Sequence, residues 1–458
     1  MLGSKNRISS SCADELRATI SGRVALPQDE LYDEGSRVWN GAVRRRPAIV
    51  AFCKQPEDVQ AAVRAARRHG LKLSVRGGGH DWAGRALRDG GLVIDLTGMR
   101  DVAVDARALV ATVAGGARAK DVAVAAGVHG LVAALGNCGT VGMAGLTLGG
   151  GYGPLSGSCG LAADNLLGAE IVLADGRRVT TGPDTEPDLL WALRGGGGNF
   201  GVVTSLRVRL HAARDMLAGS IVYNWKEAGA VLRRYASFAA TAPDELGVSV
   251  GAMPGPNGEP VIMVFPVWNG DRSRGERAME DVRAFGTPLS AQIGPATYAD
   301  LLAQFDAWVE AADGCHWETR TRSLPALTAG AADAIIAAKA RAASLYCTVF
   351  WHHFHGAATR MAPDSAAFGL RREHLMVEIV AGWKPDGDDG AVHRRWAREL
   401  WQSLAPFALP GGYANLLGPD DREQVAAAYG RNAARLRVLK HRFDPDGVFA
   451  SAIPLPEG

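Results

Sequence analysis

No stretch of this 458-residue chain supplies the ~20 consecutive apolar residues of a membrane-spanning helix. No CxxC or CxxxC pair occurs among its six cysteines. The first absence argues against a helical membrane protein, and residues 1–11 also lack the apolar run of an export signal. A cytoplasmic protein is therefore expected. The second argues against a cysteine zinc site and against a disulfide framework, so Cys12, Cys53, Cys138, Cys159, Cys315 and Cys347 read mostly as buried thiols. Net charge is small too: +2 gives no strong field toward nucleic acid or an anionic membrane. No internal repeat is evident.

What the chain has in excess is glycine, 57 residues, many of them between Gly77 and Gly201. The alternating segment Leu71-Lys72-Leu73-Ser74-Val75 reads as a strand with one apolar face, and it runs through Arg76 into Gly77-Gly78-Gly79-His80. Without Cβ atoms, three successive glycines let backbone N–H groups converge on an anion such as a pyrophosphate. A surface turn with a solvated histidine is the plainer alternative for this motif alone. Gly136 to Gly160 is a second glycine-rich region, too poor in helix formers for a stable interior element and so expected as a wrapped loop. Gly196-Gly197-Gly198-Asn199-Phe200-Gly201 fits GxGxxG, but a dinucleotide fingerprint needs a strand before it and a helix after. Here the helical pattern Asp188–Arg194 precedes, and the alternating Leu206, Val208 and Leu210 follow.

Elsewhere in the first half, Pro56-Glu57-Asp58 opens a helix with Val59, Ala62, Val63 and Ala66 on one face and Gly70 beyond its end. Leu92–Leu96 and Leu109–Val113 read as strands, Lys120–Ala126 as a helix, and Asp175-Gly176 as a hairpin turn. After about Leu210 the glycines thin out. Short strand-like runs (Ser220–Trp225, Val261–Val267, Leu345–Trp351, Leu375–Val380) alternate with Ala-rich helical stretches such as Ala331–Ala343, which suits an antiparallel sheet with helices on one face. Asp421–Phe443 reads as one helix-period stretch. The fold class is α+β, in three segments: 1–210, 211–410 and 411–458.

The motifs Val75–His80, Gly136–Gly142, Gly145–Gly151, Ala174-Asp175-Gly176, Asp188–Gly201 and Tyr429–Phe449 occur together and in order. In this the chain resembles the FAD-linked oxidases of the vanillyl-alcohol oxidase type, the fold with a PCMH-type FAD-binding domain, and within them the berberine-bridge-enzyme-like branch. The resemblance implies an FAD-binding domain built from 1–210 plus 411–458, with a substrate domain, 211–410, inserted between. It implies FAD bound at two points, His80 to the flavin 8α-methyl and Cys138 to flavin C6, although Gly139 stands where a proline is common. It also implies a cofactor cradle of Arg76, Gly77, Gly78, Gly79, Asp81, Gly84, Thr140, Val141, Gly142, Gly145, Gly149, Gly150, Tyr152, Gly201, Val202, Tyr413 and Asn415. A small valine at 141 is the choice of relatives that react with oxygen.

The family's chemistry is hydride transfer to flavin N5 from a carbon bearing oxygen or nitrogen, helped by a base, with oxygen then reduced to hydrogen peroxide. The usual base is the second tyrosine of Tyr-x-Asn-Tyr; here the motif reads Tyr413-Ala414-Asn415-Leu416, and that tyrosine is missing. Tyr413, His353 and Tyr346 are the expected catalytic residues, with His352, His355 and Tyr152 as further candidates, because a histidine titrates near neutrality. No acidic or cysteine partners stand near the histidines in sequence, so no metal is expected there, and His129 reads as structural. The expected substrate is an alcohol of a sugar or secondary metabolite, with oxygen as the second partner and self-association compatible with the sequence. A dehydrogenase, an amine oxidase, an oxidative cyclase and a flavin-binding protein without turnover remain the alternatives.

Overall fold

The computed structural model describes residues 2–255, 257–418, 420–450 and 452–456, with side chains from residue 9 onward. It is a mixed α+β protein. The first sheet is ordered Arg23–Ala25, Ile49–Phe52, Leu92–Asp95, Leu73–Arg76, and its three inner pairings include two parallel ones, both to Leu92–Asp95. Parallel strands need a crossover, and the Pro56–Arg68 helix supplies it, with Val59, Ala62, Val63 and Ala66 fully buried against the strands. Proline at its start and acidic Glu57 and Asp58 in its first turn suit the helix's N-terminal charge. Strand Leu73–Arg76 then delivers the chain into Gly77–Gly79, as its alternation predicted.

The second sheet is antiparallel, five strands ordered Val102–Asp105, Val110–Ala114, Val202–Arg209, Leu166–Val172, Arg178–Thr181. Its last pair is the hairpin turning at Asp175-Gly176, with Gly176 at φ +80°. Helix Pro187–Leu193 comes before the Gly195–Gly201 loop and strand Val202–Arg209 after it, the reverse of a dinucleotide fingerprint.

A third sheet of seven antiparallel strands spans 215–383. Its helices Ala228–Ala239, Arg272–Arg283, Ala329–Ala340 and Ala391–Ser403 all contribute to one apolar core on one face. The other face is left to line a cavity, with helix Tyr298–Ala311 across it. The C-terminal helix Ala433–Phe443 returns to the first half, burying Leu436, Leu439 and Phe443 in the same core as the five-stranded sheet.

Two expectations need correction. The 136–160 region contains helices Met143–Leu148 and Ser156–Cys159. The first survives its internal Gly145 because Met143, Ala144, Thr147 and Leu148 are buried, so tertiary packing outweighs weak propensity. The 421–443 stretch is not one helix: Arg422–Ala428 ends before Gly430, whose φ of +47° breaks it from Ala433–Phe443.

Candidate active site

Between the glycine loops and the bare face of the seven-stranded sheet lies a cavity of about 1050 Å³. Its two ends differ in kind. One is walled by main chain: Gly77, Gly78, Gly79, His80 and Asp81 from the first loop, Cys138, Val141, Gly142 and Gly145 from the second, and Gly197, Gly198, Gly201 and Val202 from the third. The other is walled by Met253, Met263, Phe265, Phe305, Trp308 and Phe350 around polar groups that include Ser220, Gln292, Gln304, Thr319, Thr348, His352 and Glu378.

The glycine end is closely built where loops meet and open where the cavity begins. A Cβ on Gly78 would run into the backbone of Gly142. A Cβ on Gly145 or Gly198 would meet nothing within 4 Å, and both glycines face the void. Ser74 Oγ, at the same wall, is buried with no partner among the described residues. Bare backbone, an orphan hydroxyl and two nucleophilic side chains suit a large planar cofactor with a phosphate tail.

Those nucleophiles are held by one hydrogen-bonded chain. Thr140 Oγ1 stands 2.8 Å from His80 Nε2 and 3.1 Å from Cys138 Sγ, and the Cys138 thiol donates to Asp306 Oδ1 at 3.3 Å. Trp39 stacks on the His80 ring at 5.7 Å. Burial, helped by the nearby Arg118 charge, takes the His80 pKa down to about 4, so its imidazole is neutral at pH 7. Burial also raises the Cys138 thiol above its ordinary value.

Tyr413 meets Tyr152 at the junction of the two ends, their rings 4.7 Å apart. The Tyr413 hydroxyl accepts from the Gly151 N–H at 3.0 Å and from Asn415 Nδ2 at 2.8 Å. Burial nonetheless pushes its pKa up to about 12, and Glu378 adds to that push. Tyr152 lies 2.8 Å from His374 Nε2, and His374 Nδ1 donates to the Arg372 carbonyl at 2.7 Å, so a neutral His374 accepts the Tyr152 proton. Glu378 stands 3.4 Å from His352 Nε2, and Ser249 Oγ lies 3.4 Å from the other ring nitrogen.

Of the residues expected at the cofactor, Arg76, Gly84, Thr140, Gly149 and Gly150 stand behind the wall. Arg76 pairs with buried Asp95 at 2.6 Å. Gly84, at φ +71°, forms a turn against Val43. Gly149 leaves room for the Asn415 amide, and Gly150, at φ +126°, passes Phe368 and Tyr413. Two expected catalytic residues are placed elsewhere. Along strand Thr348–Phe354, Thr348, Phe350 and His352 face the cavity, which puts His353 on the helix-covered face. There it stacks on His355 at 4.1 Å and burial pushes its pKa down to about 3. Tyr346 packs edge-on against Trp317, 6.1 Å away, outside the cavity lining. Glu378 and Asp306 were not anticipated. Glu378 is the only acid in the alternating Leu375–Val380 run, a visible signal once that run is taken as cavity wall.

Comparison with known proteins bears on the family and the fold. Residues 47–182 match the family model for an FAD binding domain, and residues 412–456 the model described as berberine and berberine like. The chain is 31% identical over 455 residues to (R)-6-hydroxynicotine oxidase of Paenarthrobacter nicotinovorans, covering 96% of this chain and 98% of the relative. It is 28% identical over 449 residues to the FAD-linked oxidoreductase YgaK of Bacillus subtilis, covering 96% and 98%. The crystal structure of 6-hydroxy-D-nicotine oxidase from Arthrobacter nicotinovorans superposes with a TM-score of 0.86 at 31% identity, over 95% of this chain and 98% of that one. A chitooligosaccharide oxidase, at 22% identity and TM-score 0.86 over 98% and 100%, shares the fold.

Proposed function

This chain belongs to the FAD-linked oxidoreductases that join an FAD binding domain to a berberine-like C-terminal segment, and from that premise we propose that it is an oxidase with flavin tethered at His80 and Cys138. It is an FAD-dependent oxidoreductase; what is proposed is its attachment, its electron acceptor and its substrate. The reading rests above all on one observation: the two nucleophiles and the Glu378 carboxylate all line a single cavity. When bound, FAD accepts a hydride from a substrate carbon and passes the electrons to oxygen, giving hydrogen peroxide.

The chain's own residues divide the remaining work. Neutral imidazole at His80 has a lone pair free for bonding, which an imidazolium lacks. Glu378, beside His352, takes the proton from the substrate hydroxyl. Tyr413, protonated at neutral pH by its raised pKa, positions rather than deprotonates. Phe265, Phe305, Phe350, Met253 and Met263 exclude water and select an apolar body. The substrate is therefore an alcohol, and the aromatic wall favours a largely apolar secondary metabolite over a sugar. A second reading is an amine, because a carboxylate set among aromatic rings suits a cationic group.

The test is anaerobic mixing with a panel of aromatic and aliphatic alcohols and amines, followed by admission of oxygen. A substrate should bleach the flavin and yield one peroxide per turnover, and Glu378→Gln should slow bleaching by about 100-fold or more. Bleaching without peroxide would indicate a dehydrogenase. Bleaching at an unchanged rate in Glu378→Gln would remove Glu378 from the mechanism.

A further inference from the structure

A carboxylate from the substrate-side helix reaches across to the cofactor loop. Asp306 lies on Tyr298–Ala311, and its Oδ1 accepts from the Gly139 N–H at 2.7 Å, the Thr140 N–H at 3.2 Å and the Cys138 thiol at 3.3 Å. The approach depends on residue 139 being glycine. Any Cβ there would strike Asp306 Oδ2, and a proline would also remove the N–H that anchors the carboxylate. The thiol is thus held against an acceptor by a loop whose own backbone orients that acceptor.

We infer that Asp306 is the base that takes the thiol proton when Cys138 bonds to the flavin ring, an inference that rests on the double attachment proposed above. The Sγ–C bond forms as the S–H bond breaks, and the thiol proton passes to Asp306 Oδ1. The ring carbon's own hydrogen leaves as a proton, and the two electrons released go to dioxygen. Thiol, oxidised flavin and oxygen thereby give thioether and hydrogen peroxide, and the balance closes.

The surroundings require such a base. Burial raises the thiol's pKa and the adjacent Asp306 carboxylate adds to the rise, so the protonated form is favoured and the proton must leave as the bond to the ring forms. The charged and titratable groups around the pair are Arg118 and Lys120, from the neighbouring loop and helix start, and His80, reached through Thr140. His80 reaches the thiol only through Thr140, and its lowered pKa makes it a weak proton acceptor. Of these groups, the Asp306 carboxylate is the one the structure puts in contact with the thiol.

The experiment uses the full chain produced without flavin, mixed with FAD under air, quenched, digested and weighed by mass spectrometry. Wild type should yield FAD cross-linking the peptides that carry His80 and Cys138. Asp306→Asn should keep the His80 link and leave Cys138 open to alkylation, with the second link forming about 100-fold more slowly. Its rate should rise about tenfold per pH unit as hydroxide replaces the lost base, while wild type stays flat near neutrality; Asp306→Glu should recover part of the rate. Asp306→Asn forming the Cys138 link at the wild-type rate and pH profile would overturn the inference. Loss of both links would equally overturn it, leaving Asp306 a purely structural clamp on the loop. A wild-type chain linked through His80 alone would refute double attachment itself, and this step with it.

Discussion

Gly145 offers a direct test of whether bare backbone serves the cofactor or merely the fold. It sits inside helix Met143–Leu148, yet a Cβ added there would meet no atom within 4 Å and would project into the cavity. Gly145→Val should therefore leave the flavin-free chain as stable as before, within ~0.5 kcal/mol, since a surface-like substitution touching nothing has little to disturb. The same side chain should obstruct the cofactor. Extra carbons forced into an occupied space cost about 1–3 kcal/mol, which is roughly a 5- to 150-fold rise in Kd at ~1.4 kcal/mol per decade. The assay is a flavin-fluorescence titration in a His80→Ala, Cys138→Ala background, where binding is reversible, beside thermal unfolding without FAD. Gly78→Ala is the contrast, because its Cβ collides with the Gly142 backbone and should destabilise the chain itself. Equal FAD affinity with and without Gly145→Val would refute the cradle, as would destabilisation matching that of Gly78→Ala.

Two further outcomes follow from buried charge. Arg371 grips Asp164 with both terminal nitrogens, at 2.9 and 2.7 Å, and the side chains are only 2% and 6% exposed. Asp164→Ala should lower stability by about 3–5 kcal/mol by stranding a guanidinium, whereas Asp164→Ala with Arg371→Met should recover most of it; thermal unfolding of both variants decides this, and equal losses would count against it. His374 has its folded pKa lowered by burial to about 4 from 6.5, so the unfolded chain binds its proton first as pH falls. Its contribution is whole above pH 6.5 and drains away down to about pH 4, amounting to roughly 2 kcal/mol between pH 6.5 and 5. Denaturant titrations at pH 7.5 and 5 should show a smaller acid loss in His374→Gln than in wild type, and parallel losses would sink the claim.

The parts of this molecule legible in sequence are those whose cause is local. Leu71, Leu73 and Val75 alternate because they pack against one core, and Gly78 follows because its backbone must approach that of Gly142. Pro56, Glu57 and Asp58 mark a helix start through charge and φ alone. The break at Gly430 was missed because helical spacing of apolar residues continues across it, and only the positive φ of one glycine interrupts the helix. Strands Leu246–Pro254, Pro288–Pro295 and His316–Leu324 were missed for another reason. They carry glycine, proline or charge where local propensity disfavours a strand, and their pairing partners, distant in sequence, decide the matter.

The histidine run shows where local reasoning stops. Trp351-His352-His353-Phe354 must place its two central residues on opposite faces, and that much follows from the period of a strand. Which face meets the cavity depends on register: His352 pairs with Met376 and Ser249 across the sheet, and the even-numbered face of strand His374–Trp383 carries Met376, Glu378 and Val380 toward the void. Once one residue of the sheet is assigned, all its neighbours are, because a single-residue slip would turn Glu378 into the apolar core beneath helix Ala391–Ser403. Asp306 is the harder case, since neither its helix nor the loop it serves hints at the other in sequence. Gly139 does carry a hint: its N–H, which donates to Asp306, is a donor in a cramped loop, and such a donor implies an acceptor somewhere else in the chain.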